Sequence, residues 1–217
     1  MRKTLFAAGE YYHIYNRGTD KRDVFLCKED MERFFLCMNE FNVLEPIGSL
    51  FELQYRKPLG GLASKGQLVE FVAYCLNQNH YHFILKQIEE KGIEKFMQRL
   101  GTGYTMYFNE KYERNGGLFQ GPYKAKHVST DEYLLHLSVY INLNHEAHQL
   151  GGLASKLSMS SKEEYFGIET TNFCKKDIVL KRFSSNTDYM VFSRNTLKDI
   201  IKRKEDEKDL IEVLLEA

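Results

Sequence analysis

VEFVAYCLNQNHYHFILK, residues 69–86, decides the fold. VEFVAYCLN (69–77) is apolar, aromatic and β-branched, and reads as a strand with buried character. HYHFILK (80–86) reads as a second strand, joined to the first by the tight polar turn Gln78-Asn79. The same stretch carries the most informative chemistry, His80-Tyr81-His82. Residues i and i+2 of a strand face the same side, so the two imidazoles can converge on one divalent ion. On its own, a His-x-His pair also suits two half-exposed strand histidines.

Outward from this hairpin the chain alternates strand and helix. YYHIYNR (11–17) is aromatic and roughly alternating, a strand ending at Gly18. Residues 29–43 place Met31, Phe34, Phe35, Met38 and Phe41 at helical spacing, with Glu29 and Asp30 suited to the helix start. SLFELQYR (49–56) reads as a short strand before the Gly-rich loop PLGGLASKG. Residues 93–112 predict a helix with Phe96, Met97, Leu100 and Tyr104 on one side. LFQGPYKAKHV (118–128) reads as an irregular strand bent at Gly121-Pro122. Ser129 or Thr130 then caps a helix over about 131–148.

Without the strand near 50, the order is β-α-β-β-α-β plus a helix. This is an α+β, ferredoxin-like or RRM-like antiparallel sheet with helices on one face. Residues 1–150 form the main domain. Residues 151–217 form a C-terminal helical extension that ends in a charged amphipathic helix at 193–216.

At 217 residues the chain is long enough to bury a core without disulfides or metal staples. No stretch approaches ~18 uninterrupted apolar residues, so no membrane span is expected. The opening MRKTLFAAGE has too short an apolar run for a signal peptide, which points to the cytoplasm. Cys27, Cys37, Cys75 and Cys174 show no metal-ligand spacing and are expected as free, buried thiols. The 30 basic and 30 acidic residues cancel, which removes a globally basic nucleic-acid binder but not a local phosphate-binding face. LGGLASK occurs identically at 59–65 and 150–156, in two expected loops, as though one short element had entered the coding sequence twice.

Tyr140 and Asn144 lie four apart on the helix expected over 131–148, one turn apart on one face. An Asn144 amide oxygen beside two histidine nitrogens would leave positions open for water and phosphate. A tyrosine in an apolar helix is ordinarily core, and that alternative stands on this evidence. In the segment 117–127, aromatics, glycines and lysines alternate in a way that suits stacking on bases and contacts to phosphates, or an ordinary strand with a bulge.

Four blocks in order resemble the REP-associated tyrosine transposases, relatives of the single-tyrosine, IS200-like transposases in the HUH nuclease superfamily. They are YHIYNRG (12–18), AYCLNQNHYHFIL (73–85), FMQRLGTGYTMYFNEKYERNGGLFQGPYK (96–124) and YLLHLSVYINLN (133–144). The resemblance implies a metal-dependent endonuclease and strand transferase acting on single-stranded or hairpin DNA through a 5′-phosphotyrosine. It makes Tyr140 the nucleophile, His80, His82 and Asn144 the ligands of Mg²⁺ or Mn²⁺, and the protein a monomer or homodimer. Tyr12, Tyr15, Arg17, Lys21, Arg22, Tyr123, Lys124 and Lys126 are candidates for DNA contact. His127, His136, His145 and His148 are candidate proton acceptors for the tyrosine. The pattern departs from the family at Gln78, His145 and Pro122, where Pro, Pro and Arg are usual. Two other functions fit the same plan: a domesticated hairpin binder without cleavage, and an RRM-like RNA-binding module.

Overall fold

The computed structural model describes residues 4–47, 50, 66–148, 157–168 and 172–215. The expected strand at 49–56 falls outside these apart from Leu50, and both LGGLASK copies fall wholly outside them.

Five antiparallel strands form one sheet in the order β4-β1-β3-β2-β5. They are β1 (Tyr11–Arg17), β2 (Val69–Asn77), β3 (His80–Gln87), β4 (Lys124–His127) and β5 (Ser158–Ser160). The hairpin read from residues 69–86 is the centre of this sheet. Its turn puts Asn77 opposite His80, and β1 puts Tyr15 opposite His82. The turn lacks the family's proline. Hydrogen bonds hold it instead: the Gln78 side chain donates to Asp23 at 2.8 Å, and its carbonyl accepts from Val24 and Phe25. Gly18 lets the following turn fold back, because a Cβ there would lie 2.1 Å from the Arg22 carbonyl oxygen.

Face alternation sorts the core. Tyr12, Ile14, Leu76, Tyr81, Phe83 and Leu85 point to one side and pack on α1 (Lys28–Glu40) and α2 (Gly92–Lys111). Phe34, Phe96 and Tyr104 meet them there. A bulge between Phe71 and Ala73 turns both Val72 and Ala73 to the other side, where they join Cys75 and Ile84.

The sheet therefore has two apolar faces, and helices cover both rather than the single face expected. The second face takes α3 (Asp131–Asn142) and α4 (Asn144–Ala147). The segment after 157 adds β5 to the β2 edge, then α5 (Lys162–Phe166), α6 (Asp177–Leu180) and α7 (Asn186–Leu215). Tyr165 and Tyr189 bury themselves beside Val139 and Ile141. No helix among the described residues is long and apolar enough to cross a membrane.

Three local expectations change. The strand expected over 118–128 is only Lys124–His127, preceded by a loop with a single bridge from Gly18 to Phe119. The helix expected over 131–148 breaks at Leu143, whose φ of −110° and ψ of 22° leave helical geometry. Its start is capped by Thr130, which accepts from the Tyr133 amide at 3.1 Å. Of the four free cysteines, Cys27 is only partly buried, while Cys37, Cys75 and Cys174 are fully so.

Candidate active site

The site grows from the hairpin. Tyr81 is 3 % exposed and anchored among Phe34, Phe83 and Phe119. Strand alternation then turns His80 and His82 to the opposite face. Their rings lie 5.2 Å apart at 86°, and Tyr140 from α3 stands edge-on to His82 at 5.6 Å. They share a cleft of about 600 Å³ with Tyr15, Arg17, Lys21, Lys124 and His148.

Asn144 enters from the first residue of α4, just past the break at Leu143. The backbone bond from the Leu143 amide to the Val139 carbonyl survives, so Tyr140 and Asn144 remain neighbours although the helix is not continuous. Asn144 is fully buried, and its Oδ1 lies 3.3 Å from His80 Nε2.

The donor set fits a divalent cation. His80 Nδ1 lies 2.6 Å from Asn79 Oδ1, an atom that only accepts, so Nδ1 carries the proton and Nε2 the lone pair. That lone pair and the Asn144 oxygen face one donor, the Asn77 amide nitrogen, at 2.9 and 2.7 Å. Two acceptors held this close suit a shared positive charge. The other amide atoms of the pair, Asn77 Oδ1 and Asn144 Nδ2, are buried without a hydrogen-bond partner, which is costly in a finished core. His82 Nδ1 lies 2.9 Å from His13 Nε2. Among the described residues no three His, Cys, Asp or Glu side chains cluster as a metal site. Imidazole and amide ligands suit Mn²⁺, and Mg²⁺ with more water.

The electrostatics are one-sided. Arg17, Lys21 and Lys124 line the cleft, and among the described residues no carboxylate does. This is a local basic face on a chain of zero net charge. Burial raises the Tyr140 hydroxyl above the ordinary phenol value, and the nearby Asn144 amide works against that rise. His148 Nε2 lies 3.4 Å from the Tyr140 oxygen. The other three candidate acceptors are engaged elsewhere. His127 pairs with Glu10, His136 packs on Phe192, and His145 sits beside Glu146. His13 is 9 % exposed, and burial, with Lys126 beside it, lowers its pKa to about 4.

The structure separates the candidate DNA contacts. Tyr15, Arg17, Lys21 and Lys124 line the cleft, and Arg17 is held by the Gln120 side chain. Tyr12 does not. It is 1 % exposed on the opposite face, with its hydroxyl tied to the backbone at Leu5 and Ala7. Alternation puts Tyr12 on the face opposite Tyr15, in the core. Arg22 folds back onto the Thr19 carbonyl and Asp20, away from the cleft. Lys126 lies over the Tyr133 ring at 4.7 Å. Tyr123 and Pro122 line a separate cavity with Tyr81 and Phe119. Asn77, Asn79 and His13 went unnoticed in the sequence as site residues. The signal for Asn77 was the two-residue turn, which places it opposite His80. The signal for His13 was its parity with Tyr15.

Residues 51–144 match the family model described as "Transposase IS200 like". Over those residues the chain is similar to the IS200-like transposases. No curated protein matches the chain. A solved structure described as "Structure of the REP associates tyrosine transposase bound to a REP hairpin" is similar at 10 % identity and a TM-score of 0.48. The match covers 81 % of this chain and 96 % of that one.

Proposed function

We propose that the chain is a metal-dependent enzyme that nicks and rejoins single-stranded DNA at hairpins through a 5′-phosphotyrosine at Tyr140. One observation carries this reading. A half-buried phenol and two imidazoles share a cleft whose charged walls, among the described residues, are all cationic, and a buried amide from a third element lies against one of the imidazoles. A simple DNA binder or an RNA-binding sheet gains nothing from the unpartnered amide atoms beside the histidines.

His80, His82 and Asn144 would hold the ion. When bound, a divalent ion supplies Lewis-acid polarisation of a phosphate oxygen. Arg17, Lys21 and Lys124 hold the strand by its backbone. Tyr15 offers an aromatic face to a base. The Tyr140 oxygen bonds to phosphorus, its proton passes to His148 Nε2, and the bond from phosphorus to the 3′-oxygen breaks. That oxygen leaves as a 3′-hydroxyl once protonated from water. The phosphotyrosine keeps the bond energy, so a 3′-hydroxyl can later reverse the step or join another strand. These groups lie within residues 1–150, and the described elements after residue 157 pack on the helices that present Tyr140 and Asn144. The protein acts in the cytoplasm.

Labelled hairpin DNA incubated with the full chain and Mn²⁺ or Mg²⁺ tests the reading. A denaturation-resistant adduct that needs the metal and is lost in Tyr140→Phe is expected. An undiminished adduct in Tyr140→Phe would assign the nucleophile elsewhere. Tight hairpin binding with no adduct would favour the domesticated binder.

A further inference from the structure

We propose that His13 is a positioning residue that fixes the ring tautomer of His82, accepting its Nδ1–H so that the Nε2 lone pair is presented to the ion. The inference rests on the metal reading above.

The geometry is that of one in-plane hydrogen bond between two imidazoles. His13 Nε2 and His82 Nδ1 are 2.9 Å apart, and the ring planes differ by only 25°. Strand register makes the contact: His13 and Tyr15 share a face of β1, and His82 stands opposite Tyr15 on β3. The Tyr15 ring lies 4.8 Å from His13 and 5.6 Å from His82, so the pair is braced from one side. Ile84 and Lys126 flank His13 in the register. A hydrogen bond between two neutral imidazoles can run either way, and only one direction leaves a lone pair on His82 Nε2.

His80 indicates the direction. Its Nδ1 must donate, because Asn79 Oδ1 can only accept, and this leaves its lone pair on Nε2, facing Asn144. With His82 Nδ1 engaged by His13, only Nε2 is left to face an ion, and it carries a lone pair only if Nδ1 carries the proton. Metal-bound histidines ordinarily donate their second N–H to an outer partner that orients the ring. Asn79 fills that place for His80. His13, buried on the adjacent strand with its Nε2 2.9 Å from His82 Nδ1, fills it for His82. The outer partner of one ligand is thus an amide in the turn, and that of the other is a histidine on a neighbouring strand.

The test reads nitrogen protonation directly. Long-range ¹H–¹⁵N spectra of the full-length protein, metal-free and with Mg²⁺, should show His82 protonated at Nδ1 and bare at Nε2. His13→Phe should scramble that assignment and weaken Mn²⁺ binding, followed by EPR of the free ion, by about 10–100-fold. His13→Gln keeps an acceptor and should restore the tautomer and most of the affinity, which a merely space-filling role would not predict. His82 protonated at Nε2 in the wild type with Mg²⁺ overturns the proposal without any variant. So does an unchanged tautomer and Mn²⁺ affinity in folded His13→Phe. A wild type that binds no Mn²⁺ while His82 is protonated at Nδ1 overturns the metal reading and leaves the hydrogen-bond assignment standing.

Discussion

Asn142 and Asn144 are two residues apart, both fully buried, and they live in opposite kinds of surroundings. Asn142 donates to Tyr189 at 3.0 Å and accepts from Ser161 at 2.6 Å, and Ser138 closes the circle onto Tyr189. Both of its amide atoms are partnered by protein groups. Asn144 accepts from Asn77 at 2.7 Å, turns the same oxygen toward the bare Nε2 of His80, and has no hydrogen-bond partner for its nitrogen. Completed networks hold a fold in place. A network left incomplete in a buried place costs stability, and such costs concentrate where a ligand is to be bound. Asp30, buried in the first turn of α1, belongs to the first kind. It takes bonds from Lys111, Tyr112, Tyr107 and the Leu26 amide.

Substitutions should divide along that line. The largest effect is expected at Tyr140. Tyr140→Phe should lower adduct formation by at least about 10³-fold while shifting stability by less than about 1 kcal/mol, read by gel assay and by chemical denaturation. His148→Ala should slow adduct formation by about 10²-fold with hairpin affinity unchanged, in single-turnover kinetics. An unaffected rate would send the phenol proton elsewhere.

Asp30→Asn should act the other way, costing about 3 kcal/mol of stability with the site chemistry intact. Burial alone would raise the Asp30 carboxyl, but the Lys111 ammonium, the Tyr112 hydroxyl and the Leu26 amide outweigh it and hold it below the usual range. A depressed carboxyl contributes stability that is complete above the ordinary carboxylate pKa, near 4, and is lost as pH falls through the folded value. Denaturant unfolding below pH 4 should therefore fall less steeply in Asp30→Asn than in the wild type.

The paired asparagines sharpen the contrast with smaller effects. Asn142→Ala should cost about 1–3 kcal/mol in denaturant midpoints and leave Mn²⁺ affinity near wild type. Asn144→Ala should cost little stability and weaken Mn²⁺ binding about tenfold or more by titration. Equal losses of both kinds in both variants would erase the distinction. Smallest of all, Lys124→Ala should weaken hairpin binding a few-fold and reduce its salt dependence by about one counterion.

The legible part of the fold was the part with a repeating pattern. Alternation fixed β1 and the hairpin, and apolar spacing fixed α1 and α2 nearly to their ends. The break at Leu143 was hidden because neither proline nor glycine marks it. The segment from 157 to 183 was opaque because its elements are three to five residues long and are placed by polar contacts such as Ser161 on Tyr74, which leave no periodic trace. In the site, spacing could nominate His80 with His82, and Tyr140 with Asn144, but only the family resemblance joined the two pairs. Tyr12 was misread because its aromatic character suggested stacking, while its parity with Ile14 made it core. Asn77 and His13 escaped because a neutral side chain becomes part of a site only through cross-strand register.

Peptide mapping of the covalent product tests the central claim most directly. The full chain would be incubated with hairpin DNA and Mn²⁺, digested, and the nucleotide-bearing peptide sequenced by mass spectrometry. A phosphodiester-linked nucleotide on Tyr140, attached through its 5′-phosphate, is the predicted result. A nucleotide on any other residue, or none under conditions where the hairpin is cut, would contradict the account.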